Sequence, residues 1–178
     1  IREFMKYPVS RIDFVEIDPA MIGVSRELLS REDREYLNDP RVKILHIDAR
    51  RYIKSLKAGS YDLIVLNIPE PSTANINRYY TREFFSETKS ALKGHGLIYM
   101  SLPVSYGYIS RRMQTANGSI YASLKEVFPY VGVSSEEYGI IIASDAPIET
   151  NPGALTERFI KRGIDTKYFR PYILKDAF

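Results

Sequence analysis

The chain has 178 residues, 44% of them hydrophobic, 12% aromatic and 26% charged, with a net charge of +3. One globular domain is the natural size class, and disorder, a fibrous chain and a membrane helix of about 20 apolar residues are excluded. There is no cysteine and only two histidines, which removes disulfides, thiolate sites and histidine-rich metal clusters.

In chain order, Ile12–Ile17 reads as a strand, and Asp18-Pro19-Ala20 starts a helix that runs through about Ser30. Aspartate at an N-cap with proline at the first helical position carries its own physical reason. After the Asn38-Asp39-Pro40 turn, Val42–Ile47 is the next strand, and Asp48 caps a helix through about Leu56. Tyr61–Leu66 is nearly all apolar, as expected of a strand covered on both faces. A polar connection over Asn67–Asn77 leads to a helix from Thr81 to Leu92, with Thr81 as its cap. Gly94 and Gly96 bracket a turn into the strand Leu97–Leu102. A helix over Ser110–Val127, weakened near Asn117-Gly118, precedes an antiparallel pair, Tyr130–Ser134 and Tyr138–Ala143. A last helix, Ala154–Arg162, ends in a Tyr/Phe-rich tail. The alternation predicts an α/β fold: one domain, a mostly parallel sheet and an antiparallel C-terminal hairpin.

In such sheets ligands bind beyond the carboxyl ends of the strands. Glu16 ends the first strand and has no obvious structural role. A carboxylate there suits the two hydroxyls of a ribose, and it follows a glycine-rich turn by about 20 residues. Fifteen residues precede Glu16, so the first strand and that turn are expected upstream of residue 1. The opening Ile1-Arg2-Glu3, with no initiator methionine or signal pattern, leads to the same expectation of a longer protein. Asp48 is read both as an acceptor for an adenine amino group and as a helix cap. Arg50, Arg51 and Lys54 read as a solvated helix face.

The third strand end is the most informative. Asn67-Ile68-Pro69-Glu70-Pro71 places an amide and a carboxylate in a proline-stiffened loop, followed by Arg78-Tyr79-Tyr80-Thr81. Phe84 and Phe85 read as core. His46 reads as a satisfied core histidine and His95 as an exposed turn residue. No nucleophile elbow is present.

The segments Val15-Glu16-Ile17-Asp18-Pro19, Asp39-Pro40-Arg41-Val42, Ile47-Asp48-Ala49-Arg50, Tyr61–Val65, Tyr80–Phe85 and Ala91–Gly96 resemble, in order, the polyamine aminopropyltransferases of the spermidine synthase family. So does the tail from Lys167-Tyr168-Phe169 to Ala177-Phe178. Asn77–Thr81 and Asn117–Tyr121 look most like a subgroup whose synthase-like domain is attached to a membrane segment.

The resemblance implies a Rossmann-like S-adenosylmethionine-dependent methyltransferase fold. It implies decarboxylated S-adenosylmethionine, or S-adenosylmethionine, as co-substrate and no metal. Glu16 and Ile17, Asp48 and Ala49, and Asn67 then contact the nucleoside. Glu70 with Asn67 serves catalysis, and Glu70, Tyr79 and Tyr80 hold a polyamine. It also implies a cytoplasmic location, no nucleic acid, no membrane contact by this segment, and a homodimer as one assembly the family allows. The family loop reads Asp-x-x-Asp-Pro, whereas here an amide replaces the first acid and a longer acid the second. A tyrosine-bearing loop is shortened around Ser134–Gly139, and the usual tail histidine is missing. Two other readings stay open: methyl transfer, from a loose match of Asn67–Glu70 to an Asn-Pro-Pro-aromatic loop, and a nucleoside-binding relative without transfer activity.

Overall fold

The structure is a computed structural model and describes residues 1–103, 110–134, 138–167 and 169–175. Its contacts partition the chain into two compact units, 1–55 with 163–167, and 56–162 with the described tail residues 169–175.

Unit 1 begins with a short helix α1 (Arg2–Met5) and contains strand β1 (Ile12–Val15), helix α2 (Pro19–Leu28), helix α3 (Arg31–Leu37), strand β2 (Val42–Leu45) and helix α4 (Ala49–Ser55). β1 and β2 pair in parallel, with Val15 opposite Leu45, so both carboxyl ends lie on one side. Asp18 caps α2 as expected, accepting the Ala20 N–H at 2.9 Å. The helix stops earlier than its sequence pattern predicts. Leu29 turns extended, and Ser30 opens a separate helix by accepting the Asp33 N–H at 3.1 Å. On α2 only Ile22 is buried, while Met21, Val24 and Leu28 form an exposed apolar stripe. The Asp13 side chain, only 2% exposed, accepts from Arg11 Nε at 2.8 Å and from the Tyr52 hydroxyl at 2.9 Å. That ties α4 to β1.

Unit 2 holds β3 (Tyr61–Leu66), α5 (Ala74–Asn77), α6 (Arg82–Ala91), β4 (Leu92–Pro103), α7 (Arg111–Val127), β5 (Tyr130–Val133), β6 (Tyr138–Ser144), α8 (Pro152–Arg162) and a 3-10 turn over Pro171–Lys175. The strand order is β3-β4-β6-β5, with β3 and β4 parallel and β6 antiparallel to both its neighbours. The predicted C-terminal antiparallel pair is present, with β6 inside the sheet and β5 at its edge. α6 packs on β4 and α7 through Phe84, Phe85, Thr88 and Ala91, spaced to share one helix face. They meet a core that includes Ile98, Met100, Leu102, Leu124 and Phe128.

Three local differences from the sequence reading have physical causes. β3 buries Ile64 and Leu66 but leaves Leu63 and Val65 exposed, because only alternate side chains of a strand reach a given layer. The Gly94–Gly96 turn is instead an irregularity within β4: Tyr61 pairs with Leu92 but Leu63 with Leu97. A Cβ on Gly96 would stand 3.0 Å from the Lys93 carbonyl oxygen, so the close return of the chain favours glycine. α7 runs unbroken through Asn117-Gly118, closed at its start by Ser110. Among the described residues both strands of the two-stranded sheet are outer strands, and β3 and β5 are the outer strands of the four-stranded one.

Candidate functional site

The candidate residues fall into two groups, one in each unit. In unit 1, Glu16 and Asp48 stand just beyond the carboxyl ends of β1 and β2, on the same side of that parallel pair. The Glu16 N–H donates to the Leu45 carbonyl at 3.0 Å, continuing the ladder one step past the strand. Glu16 does have a structural role, since its Oε1 accepts the Asp18 N–H at 2.9 Å. A carboxylate has about four acceptor positions, so this bond leaves capacity for ribose hydroxyls. Ile17 is 63% exposed beside it.

Asp48 Oδ1 accepts the Arg51 N–H at 2.9 Å, the capping bond of α4, whose first residue is Ala49. His46 is a correction. It lies past the end of β2, exposed rather than in the core, with Nδ1 3.1 Å from the Glu16 carbonyl oxygen. The strand is shorter than its apolar pattern, and the imidazole bridges the two strand ends.

In unit 2, Asn67 immediately follows β3, and both it and Glu70 are exposed. The loop turns at Glu70, whose carbonyl accepts the Ser72 N–H at 2.7 Å. Thr73 caps α5 through the Ile76 N–H, and Thr81 caps α6 through the Phe84 N–H. The polar connection therefore contains a helical turn that composition did not reveal.

Tyr79 and Tyr80 differ sharply in environment. Tyr79 packs edge-on against Phe84 at 5.3 Å, and its hydroxyl accepts from Arg78 Nη2 at 2.8 Å. Tyr80 is only 5% exposed, and its hydroxyl faces the Ile68 and Pro69 carbonyls at 3.0 and 2.9 Å. Burial, reinforced by the negative charge of Glu70, pushes the Tyr80 phenol up to about 12. The phenol therefore stays a neutral donor throughout the ordinary pH range. Nothing in the sequence pattern distinguishes this buried donor from its half-buried neighbour Tyr79, because its partners are backbone atoms 11 and 12 residues away.

Among the described residues no group of three or more acidic, histidine or cysteine side chains is placed to hold a metal, and no helix is long and apolar enough to cross a membrane. Of the shortened loop, residues 135–137 lie outside the described residues, as do Tyr168, Ala177 and Phe178 of the tail.

The sequence matches the family described as the spermine/spermidine synthase domain over residues 1–146. It is 27% identical to a polyamine aminopropyltransferase from Korarchaeum cryptofilum, across 97% of this chain and 55% of that protein. The chain thus spans little more than half the length of that relative. A crystal structure of spermidine synthase in complex with the transition-state analogue AdoDATO superimposes with a TM-score of 0.81 at 21% identity, over 99% of this chain and 61% of that one. Human methyltransferase-like protein 13 in complex with SAH gives a TM-score of 0.68 at 25% identity, over 97% of this chain and 80% of that one. These neighbours bear out the spermidine synthase and S-adenosylmethionine-dependent methyltransferase fold expected from the sequence, here an α/β chain with parallel and antiparallel pairs.

Proposed function

We propose, for a chain that belongs to the spermine/spermidine synthase family, that it carries out aminopropyl transfer from decarboxylated S-adenosylmethionine to an amine of a polyamine. The observation that carries this reading is the loop Asn67–Pro71. It leaves the carboxyl end of the most apolar strand with an exposed amide and an exposed carboxylate, where such sheets do their chemistry.

In the proposed reaction the amine lone pair forms a C–N bond to the propyl carbon beside the sulfonium. The C–S bond breaks, its electrons stay on sulfur, and methylthioadenosine departs as a neutral thioether. The amine loses one proton. Glu70 is the base that accepts it and also draws the cationic polyamine to the loop. Asn67 cannot take a proton, but its carbonyl oxygen can accept a hydrogen bond and orient the amine or the nucleoside. Glu16 with Ile17 holds the ribose, and Asp48 with Ala49 meets the adenine. Tyr79 lines the polyamine path. Most of the acceleration is positional, since the electrophile is already activated by its charge. No metal enters the scheme. The homodimer, the cytoplasmic location and the absence of nucleic-acid partners belong to the same proposal and rest on family membership.

One observation favours a second reading. Asn67 stands where the family loop begins with an acid, which suits a relative that binds the nucleoside without transferring from it. Calorimetry of the full-length protein with decarboxylated S-adenosylmethionine, S-adenosylmethionine and methylthioadenosine, coupled to product analysis with putrescine, decides between them. Preference for the decarboxylated form with a new aminopropyl product supports transfer. Preference for S-adenosylmethionine with a methylated product replaces it with methyl transfer, and binding without any product supports the non-catalytic reading.

A further inference from the structure

The loop that bears Asn67 and Glu70 is short of backbone donors. Pro69 and Pro71 carry no N–H, so two of its five residues donate no backbone hydrogen bond. Its carbonyls at Ile68 and Pro69 converge instead on one point, the Tyr80 hydroxyl, at 3.0 and 2.9 Å. A phenol has one proton, shared here between two successive carbonyls, and that sharing requires both to turn toward the same atom.

Tyr80 is itself held within the fold. It is 5% exposed, its N–H donates to the Asn77 carbonyl at 2.9 Å, and Thr81 starts α6 directly after it. The hydroxyl is thus anchored to the helix side of the connection and grips the strand side. Glu70 follows the second gripped carbonyl, and Asn67 precedes the first. The raised pKa keeps the proton on the oxygen, so the grip persists at alkaline pH.

We infer that Tyr80 is a positioning residue, not a substrate contact: it fixes the backbone at Ile68-Pro69 and thereby the direction in which Asn67 and Glu70 face the ligand. The consequence for turnover rests on the aminopropyl-transfer reading, whereas the grip on the loop does not.

The test compares the full-length protein with Tyr80→Phe, which keeps the ring and removes only the hydroxyl. Hydrogen exchange over residues 68–77 should quicken, because the segment loses its tie to the helix side. Turnover with putrescine should fall about 10- to 100-fold, the scale expected when a reacting group is misplaced by a fraction of an ångström to an ångström. The circular dichroism spectrum and a cooperative denaturant melt should match those of the wild type, which shows that the variant is folded. In a Glu70→Gln background the same change should cost much less, since both act through one group. Pro69→Gly loosens the segment from the other side of the hydrogen bond and should reproduce the pattern. Unchanged exchange over 68–77, or faster exchange with unchanged turnover, overturns the positioning role. If the wild-type protein transfers nothing, the functional reading fails, and exchange in Tyr80→Phe still decides whether the grip exists.

Discussion

Arg41 grips Asp39 with both arms: Nε and Nη2 donate to the two carboxylate oxygens at 2.9 Å each, and the Arg41 N–H adds a third bond at 2.9 Å. This pair closes the turn that delivers the chain into β2. Hydrogen bonds from the Arg41 side chain, then from its backbone, lower the Asp39 carboxyl from its ordinary 3.8 to about 2. A depressed acid stabilises the fold above its unfolded value and loses that contribution as pH falls through the folded one. The contribution should therefore be complete above about pH 4 and vanish toward about pH 2. Carboxyl NMR titration should place the Asp39 midpoint near 2, and Arg41→Ala should return it toward 3.8. A midpoint indifferent to Arg41 removes the assignment.

Tyr52→Phe should destabilise unit 1. The change deletes one donor to the nearly buried Asp13 carboxylate, which keeps its bond from Arg11 Nε. Hydrogen bonds to charged groups contribute about 1.5–3 kcal/mol, and the exposed Arg11 should recover part of that, so a loss of about 1–2 kcal/mol is expected. Denaturant melts of the two proteins measure it directly.

Glu16→Gln should weaken nucleoside binding while the fold survives. The amide oxygen of glutamine can still accept the Asp18 N–H, so the local bond at 2.9 Å has a replacement. What disappears is the charge that strengthens bonds from ribose hydroxyls. Calorimetry with methylthioadenosine should show a loss of about 1–3 kcal/mol. Equal affinity of variant and wild type would remove Glu16 from the ribose site.

Glu70→Gln should cut putrescine turnover by about 100-fold, the scale of losing a positioned base. Asn67→Asp should raise it, since a second carboxylate favours a cationic acceptor near the sulfonium carbon. In a methyltransferase that clamps its target with the Asn67 amide, Asn67→Asp should instead impair activity. Steady-state rates of both variants, with putrescine and with a methyl acceptor, tell these cases apart.

The legible parts of this chain are those written locally. Asp18-Pro19, Thr81 and Ser110 announce helix starts because a cap and its partner lie within three residues of each other. Ser30 carries the same signal, but the run of helix-compatible residues before it makes it look like the end of α2. Ser30 Oγ accepts the Asp33 N–H at 3.1 Å and donates to Asp33 Oδ2 at 2.8 Å, so one pair of residues closes the start of α3. The irregularity at Gly94–Gly96 is hidden because two glycines suit a turn and a broken strand equally well. The setting of Tyr80 is hidden for a different reason: its environment is made by carbonyls of a loop that folds back on it, and no spacing along the sequence encodes that. Placement of Glu16 and Asp48 at neighbouring strand ends follows from alternation alone, since parallel strands bring equivalent ends together.

The outer positions of β1 and β3 in their sheets bear on how these 178 residues behave in solution. Among the described residues each of these outer strands pairs with a strand on one side, and outer strands of sheets recruit strands from other molecules. Leu63 and Val65 on β3, and Met21, Val24 and Leu28 on α2, add apolar surface that favours the same outcome. With a net charge of only +3, mutual repulsion does little to keep copies apart. Concentrated preparations of this segment alone should scatter light and lose monomer through intermolecular pairing, and salt, which screens the remaining repulsion, should hasten the loss.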